Sequence, residues 1–323
     1  MRPLPRHVEA LIAAGLRRRD QGYRGRFAPS PSGPLHRGNL RTALLSWLEA
    51  RLAGGEWLLR IDDLDTPRNR AGAEAAILAD LTWLGLSWDG PLWRQSERRG
   101  LYSSVLSALR HDGRLYPCRC SRRLLADVSA PHGDWAVYPG FCRQSQVDWG
   151  AVAGRWPSWR LRLSAGPIAW QEAAALVPVS APGRLDGASQ VGDVVLRRAD
   201  GFITYHLATA VDELTLGIGT VVRGEDLWSS TAAQVAVMRE LGAPPPAYAH
   251  VPLWREESTG QRLSKRSGAE GLEGLRARGL DAAGVVGLLA ASAALVPPGS
   301  RLSAAELLQH LATRATAAQE RTS

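Results

Sequence analysis

The feature that most restricts this chain is a proline-rich loop set between two kinds of periodicity. A strand-like run from Tyr23 ends at Phe27, and Pro29-Ser30-Pro31-Ser32-Gly33-Pro34 follows. Leu40, Ala43, Leu44, Trp47 and Leu48 then recur at helical spacing. Residues 56–61 read as a second strand, closed by Asp62-Asp63 and Pro67, and residues 73–84 and 101–109 read as helices. Strands alternating with helices predict an α/β fold on a parallel sheet. From Tyr116 to Gln190 that rhythm breaks into three cysteines and scattered Pro and Gly, which predicts an inserted subdomain. Residues 194–198 and 202–208 read as strands flanking an Asp200-Gly201 turn, and 220–223 as a strand leading through Gly224 into a helix over 231–241. The expected organisation is an extension over 1–22 with an amphipathic pattern (Val8, Leu11, Ile12, Leu16), a first half over 23–115, the insertion over 116–190, a second half over 191–270 and a helical tail over 271–323.

Composition narrows the class of function. Against 31 acidic residues stand 39 basic ones, leaving +8 over 323 residues, with 45% hydrophobic and 22% charged content. This describes a folded chain whose surface suits polyanions. The longest apolar stretch, 285–296, is shorter than the ~20 residues that cross a bilayer, so no membrane partner is expected. Three cysteines, all between Cys118 and Cys142, are too few and too clustered for an extracellular disulfide framework, and they suggest a reducing cytoplasm. Lys265 is the one lysine among the basic residues, which marks a position where a compact ammonium is needed.

Three constellations carry chemistry. At the strand–loop–helix junction stand His36, Gly38 and Asn39. There a helix N-terminus with free N–H groups, a glycine that admits close approach and an imidazole donor would suit a triphosphate. Late in the chain Gly260 leads into Arg262-Leu263-Ser264-Lys265-Arg266-Ser267, a basic loop able to neutralise charge on a transferring phosphoryl group. Cys118, Cys120 and Cys142 could converge on a tetrahedral zinc, for which His132 is the ordinary choice of fourth ligand.

Together, the Pro-Ser-Pro-Ser-Gly loop, His36-Arg37-Gly38-Asn39 and Arg262-Leu263-Ser264-Lys265 resemble the class I aminoacyl-tRNA synthetases specific for glutamate. The similarity continues through Arg60-Ile61-Asp62-Asp63, Trp88-Asp89-Gly90, Tyr116-Pro117-Cys118 and Val222-Arg223-Gly224-Glu225-Asp226-Leu227. The resemblance implies a Rossmann-type catalytic domain, with ATP and its Mg²⁺ handled by His36, Gly38, Asn39, Ser264 and Lys265. Of these, His36, Asn39 and Lys265 would be catalytic. L-glutamate would be held by Arg26, Phe27, Ala28, Pro29, Ser30, Asp62, Tyr205 and Arg223. Asp62 is one methylene shorter than the glutamate usual there. The spacing of Cys118, Cys120, Tyr138 and Cys142 resembles the zinc site of the branch of this family that transfers glutamate to queuosine in tRNA(Asp), and there a tyrosine completes a structural site. Only 58 residues follow Lys265, too few for the large anticodon-binding region of a discriminating glutamyl-tRNA synthetase, which agrees with that truncated branch. Queuosine-containing tRNA(Asp) is then the expected RNA, with no protein partner implied. A reduced enzyme charging tRNA(Glu) at its 3′ end and a non-catalytic RNA-binding paralogue are the alternatives.

Overall fold

The computed structural model describes residues 4–121, 124, 137–173, 176–177, 183–254 and 271–320. Residues 255–270, with Ser264 and Lys265, and the segment holding His132 lie outside them.

The parallel sheet expected from the alternating pattern is present. Strand β1 (Arg24–Phe27) pairs with β2 (Glu56–Ile61), and β2 pairs with the two-residue β3 (Trp93–Arg94), all parallel. Strands β4 (Leu115–Cys118), β5 (Ser158–Leu161) and β8 (Val195–Arg197) form a separate antiparallel sheet, and β6 (Pro167–Trp170) and β7 (Gly183–Asp186) a hairpin. The chain then returns with β9 (Thr220–Gly224) and β10 (Ala247–Val251), which are parallel to each other. The Gly219 N–H donates to the Arg24 carbonyl at 2.8 Å, so β9 lies against β1 and the order in space is β3-β2-β1-β9-β10. That reversal of winding between β1 and β9 is the switch point where open α/β sheets bind ligands, beyond the carboxyl ends of the strands.

Alternation along each strand explains the two cores. Leu58, Val221 and Tyr248 face α4 (Arg99–His111), α5 (Tyr205–Thr215), α6 (Trp228–Glu240) and the N-terminal α1 (Arg6–Asp20). Trp57, Leu59, Ile61, Val222 and Val251 face the opposite way, onto α2 (Arg37–Leu52), α3 (Ala73–Trp83), α8 (Ala282–Ala291) and α9 (Ala304–Glu320), with the short α7 (Leu272–Ala277) beside them. In α1 the buried residues are Val8, Ile12 and Gly15, whereas Leu11 is exposed. Gly15 is required because a Cβ there would run into the Leu214 carbonyl at the end of α5. No helix among the described residues is long and apolar enough to cross a membrane.

One expected element is different. Only Ile203 of the run 202–208 pairs with β8, and α5 begins at Tyr205. Leu207, Val211 and Leu214 stand at helical spacing and are all buried, so packing of that stripe overrides the strand preference of the residues after the turn.

Candidate active site

A cleft of about 1090 Å³ opens where β1 and β2 end, with the antiparallel sheet forming its far side. Ala28, Ser30, Asp62, Gln95 and Tyr205 line it near the parallel sheet; Cys120 and Tyr138 line the other end. The loop after β1 is held by local hydrogen bonds. The Pro29 carbonyl accepts from Asp62 N–H at 3.0 Å, and the Pro31 carbonyl from Arg70 N–H at 2.9 Å. Ser30 is thereby exposed in the cleft, while Phe27 turns away and stacks on Trp57 at 6.2 Å between ring centroids.

Behind this wall lie three buried arginines, and their partners differ. Arg26 donates through Nε to Glu213 Oε1 at 2.8 Å and through Nη1 to the Val222 carbonyl at 3.2 Å. Arg60 clamps Asp62 with Nε to Oδ1 at 2.6 Å and Nη2 to Oδ2 at 3.2 Å, and it lies 3.5 Å from both Asp212 and Glu213. Asp212 also accepts from Arg98, Gln95 and Tyr102. Arg26, Arg60 and Arg98 therefore face Asp62, Asp212 and Glu213, and this group balances internally. Burial alone would raise the Glu213 carboxyl, but Arg26 and Arg60 hold it below the ordinary glutamate value. Asp62 is pushed up to about 6 by burial, against the pull of Arg60.

Arg223 has a different set of partners. Its Nη1 donates to Gln234 Oε1 at 2.7 Å and approaches Tyr205 Oη at 3.4 Å. Nη2 donates to Thr231 Oγ1 at 2.6 Å, and Nε to His250 Nε2 at 3.4 Å. Among the described residues it forms no ion pair: the Glu213 carboxylate acts on it only through space, and its hydrogen-bond partners are neutral groups, one of which, Tyr205, reaches the cleft. A carboxylate is the ligand such a cation lacks. His206, beside Tyr205 in the lining, is brought down to about 4 by burial and by the Arg223 charge.

The helix end expected to present free N–H groups is capped from within. His36 is the N-cap of α2, and its Nδ1 accepts from Gly38 N–H at 3.1 Å and Asn39 N–H at 3.3 Å. The Asn39 side chain accepts from His36 N–H at 3.4 Å, which closes a reciprocal capping box. Since Nδ1 accepts, the ring proton of neutral His36 resides on Nε2. Gly38 leaves room for that ring: a Cβ would lie 3.0 Å from His36 Cε1. Both flanks of residues 255–270 meet this helix end, because the Trp254 ring lies against Arg37 and Arg41 and Gly271 bridges to His36.

The three cysteines do converge. Their sulfurs lie within 4.8 Å of one another, with Cys120 and Cys142 3.6 Å apart, near the ~3.8 Å that tetrahedral zinc–thiolate bonds impose. Tyr138 Oη is 3.4 Å from the Cys118 sulfur and 3.5 Å from that of Cys120. Arg160 donates to the Cys118 sulfur at 3.3 Å and its guanidinium covers the Tyr138 ring at 3.7 Å, a positive charge beside donors that a zinc ion would hold as anions. These four side chains could hold a zinc ion. Sequence reading did not find Glu213, Thr231, Gln234, His250 or Glu172 as neighbours of the site. For Glu213 a signal existed, because Asp212-Glu213 interrupts an otherwise apolar helical stripe.

The family model described as tRNA synthetases class I (E and Q), catalytic domain, matches residues 23–130 and 180–281. A glutamyl-Q tRNA(Asp) synthetase of Prochlorococcus marinus (strain MIT 9303) is 57% identical over 308 residues, covering 95% of this chain and 94% of that protein. One from Synechococcus sp. (strain CC9605) is 55% identical over 97% and 96%. A glutamate tRNA ligase from Elizabethkingia meningosepticum, solved in complex with its amino acid, aligns with a TM-score of 0.72 at 27% identity. That alignment covers 88% of this chain, which spans 64% of that ligase.

Proposed function

This chain belongs to the class I tRNA synthetases for glutamate and glutamine, and from that premise we propose that it activates L-glutamate with ATP and transfers it to queuosine in tRNA(Asp). The observation that carries the choice of amino acid is Arg223, a buried cation with only neutral hydrogen-bond partners beside a cleft residue. It pairs with the side-chain carboxylate of glutamate, next to Tyr205; glutamine offers no charge to this slot. Asp62 answers the substrate ammonium, Ser30 and the backbone of Ala28 and Pro29 border the bound amino acid, and Arg26 and Phe27 hold that loop from behind.

In the first step an α-carboxylate oxygen attacks the α-phosphorus of ATP, the bond to the bridging oxygen breaks, and pyrophosphate leaves. The nucleophile is already ionised at neutral pH, so alignment and charge stabilisation matter more than a base. His36 donates from Nε2 to phosphate oxygen with Asn39 and Gly38 keeping its ring in place; Lys265 neutralises charge on the transferring group with the Mg²⁺ that accompanies ATP, and Ser264 offers its hydroxyl as a hydrogen-bond donor. In the second step a hydroxyl of the queuosine cyclopentenediol attacks the acyl carbon, loses its proton, and AMP leaves. Cys118, Cys120, Cys142 and Tyr138 bind one Zn²⁺, whose contribution is structural.

Glutamate-dependent pyrophosphate exchange without RNA, followed by transfer to tRNA(Asp) purified with and without queuosine, tests the proposal. Exchange followed by transfer only to the queuosine-containing RNA is expected. Transfer to the 3′ end of tRNA(Glu) would contradict it.

A further inference from the structure

The insertion reaches the amino-acid pocket from behind. Residues 171–173 add to the outer edge of β10, with Tyr248 N–H donating to the Gln171 carbonyl at 2.9 Å and Ala173 N–H to the Tyr248 carbonyl at 2.7 Å. The residue between them, Glu172, is buried, and its Oε1 accepts from Trp170 Nε1 at 2.8 Å and from His250 Nδ1 at 2.7 Å. A carboxylate only accepts, so His250 carries its hydrogen on Nδ1, and in a neutral ring Nε2 is then a lone pair. That lone pair faces Arg223 Nε at 3.4 Å and Thr231 Oγ1 at 3.1 Å. The other tautomer would set N–H against N–H and leave Arg223 Nε without an acceptor in a buried site, which is costly. Burial and the nearby Arg223 charge also hold the His250 ring in its neutral form, against the pull of Glu172.

We propose that Glu172 and His250 are positioning residues: they fix the His250 tautomer so that the three kinds of nitrogen on Arg223 are held by His250, Gln234 and Thr231, and the guanidinium is aimed at the glutamate side-chain carboxylate. Neither residue lines the cleft, so the segment around Glu172 sets the selectivity of the pocket from behind its wall. Glu172 also places its negative charge one imidazole away from Arg223, which offsets the buried cation without occupying the edge beside Tyr205. The inference rests on the reading of Arg223 as the glutamate-recognising residue.

Pyrophosphate exchange with the full chain, with glutamate and ATP varied separately, tests it. Glu172→Leu is expected to raise the glutamate KM about tenfold, the worth of a hydrogen bond to a charged group, with kcat and the ATP KM within about twofold of wild type. Glu172→Gln keeps an Oε1 that accepts from both donors and should stay within about threefold of wild type, and inhibition by glutamine should strengthen only in the leucine variant. An unchanged glutamate KM in Glu172→Leu overturns the proposal, as does a parallel decline of kcat and of affinity for both substrates in the two variants. Should the leucine variant not fold, ¹⁵N NMR of the wild-type protein decides: His250 must be protonated on Nδ1, and a proton on Nε2 refutes the relay. Arg223→Gln separates the two levels. If it still activates glutamate with ordinary KM, the pocket assignment itself is wrong; if it is inactive while Glu172→Leu behaves as wild type, only the positioning role is lost.

Discussion

Asp62 combines burial, a clamp from Arg60 and a place in the cleft wall, so its protonation is a function of conditions an experiment can set. Its carboxyl, pushed up to about 6, must be ionised to meet an ammonium. kcat/KM for glutamate activation is expected to fall as the pH drops below about 6, and Asp62→Asn should lack that limb while binding glutamate more weakly at neutral pH. An unfolded aspartate titrates near ~3.9, so the folded chain takes this proton first. Between about 4 and 6 protonation of Asp62 favours the fold, and that stabilisation is lost as the pH rises through 6. The decline in activity is therefore not acid unfolding driven by this residue. His206 acts in the opposite sense: the unfolded chain protonates first, near ~6.5, and stability is lost as the pH falls from there towards 4. Comparison of Asp62→Asn with wild type cancels the His206 contribution, and identical rate profiles for the two would refute the role given to Asp62. The candidate site was legible in sequence where its residues sit in short motifs, as Ser30 and Asp62 in the cleft wall and Arg223 behind it do. The partners that decide whether each arginine's charge is balanced were not, since Glu213, Gln234 and His250 come from elements brought together only by folding.

Elements with a strong period were read correctly. Strands β1 and β2 and helices α2 and α4 follow from their apolar spacing, whereas β10 was missed because five residues between prolines give too short a pattern, and α5 because a turn ahead of it imitates a hairpin. The insertion lacks a period, and its order derives from paired edges and from the cysteine cluster. A zinc ion there would add a cross-link to a region with a small core of its own, Tyr116, Cys118 and Tyr138 with Cys120 and Cys142 packed against them. Metal analysis of the purified protein is expected to give one zinc per chain, and Cys120→Ala should abolish it and lower the thermal midpoint by several degrees. Tyr138→Phe should weaken retention against a chelator while keeping the ring under Arg160. A metal-free wild-type protein of unchanged thermal midpoint would remove the site.

Over the whole molecule, one cleft connects the sheet end to the cysteine cluster, and its lining carries Arg68, Arg155 and Arg198 at exposed or half-exposed positions. Asp65 and Asp200 line the same space and pair with Arg68 and Arg198, so these arginines would meet the phosphates of an approaching RNA loop by exchanging partners. The double variant Arg68→Ser, Arg155→Ser is expected to leave exchange without RNA unaltered while raising the KM for tRNA about tenfold. It should also flatten the dependence of transfer on salt by about 0.7 per lost phosphate contact. Equal loss in both assays would show that these arginines support the fold rather than the RNA. The three-residue addition at the outer edge of β10 has a consequence for solubility. A naked edge offers its ladder to any neighbouring molecule, and here the insertion occupies that edge while β3, at the other side, is only two residues long. Excising the insertion to obtain a minimal nucleotide-binding core would uncover a template for self-association, and the shortened protein would precipitate before its chemistry could be measured.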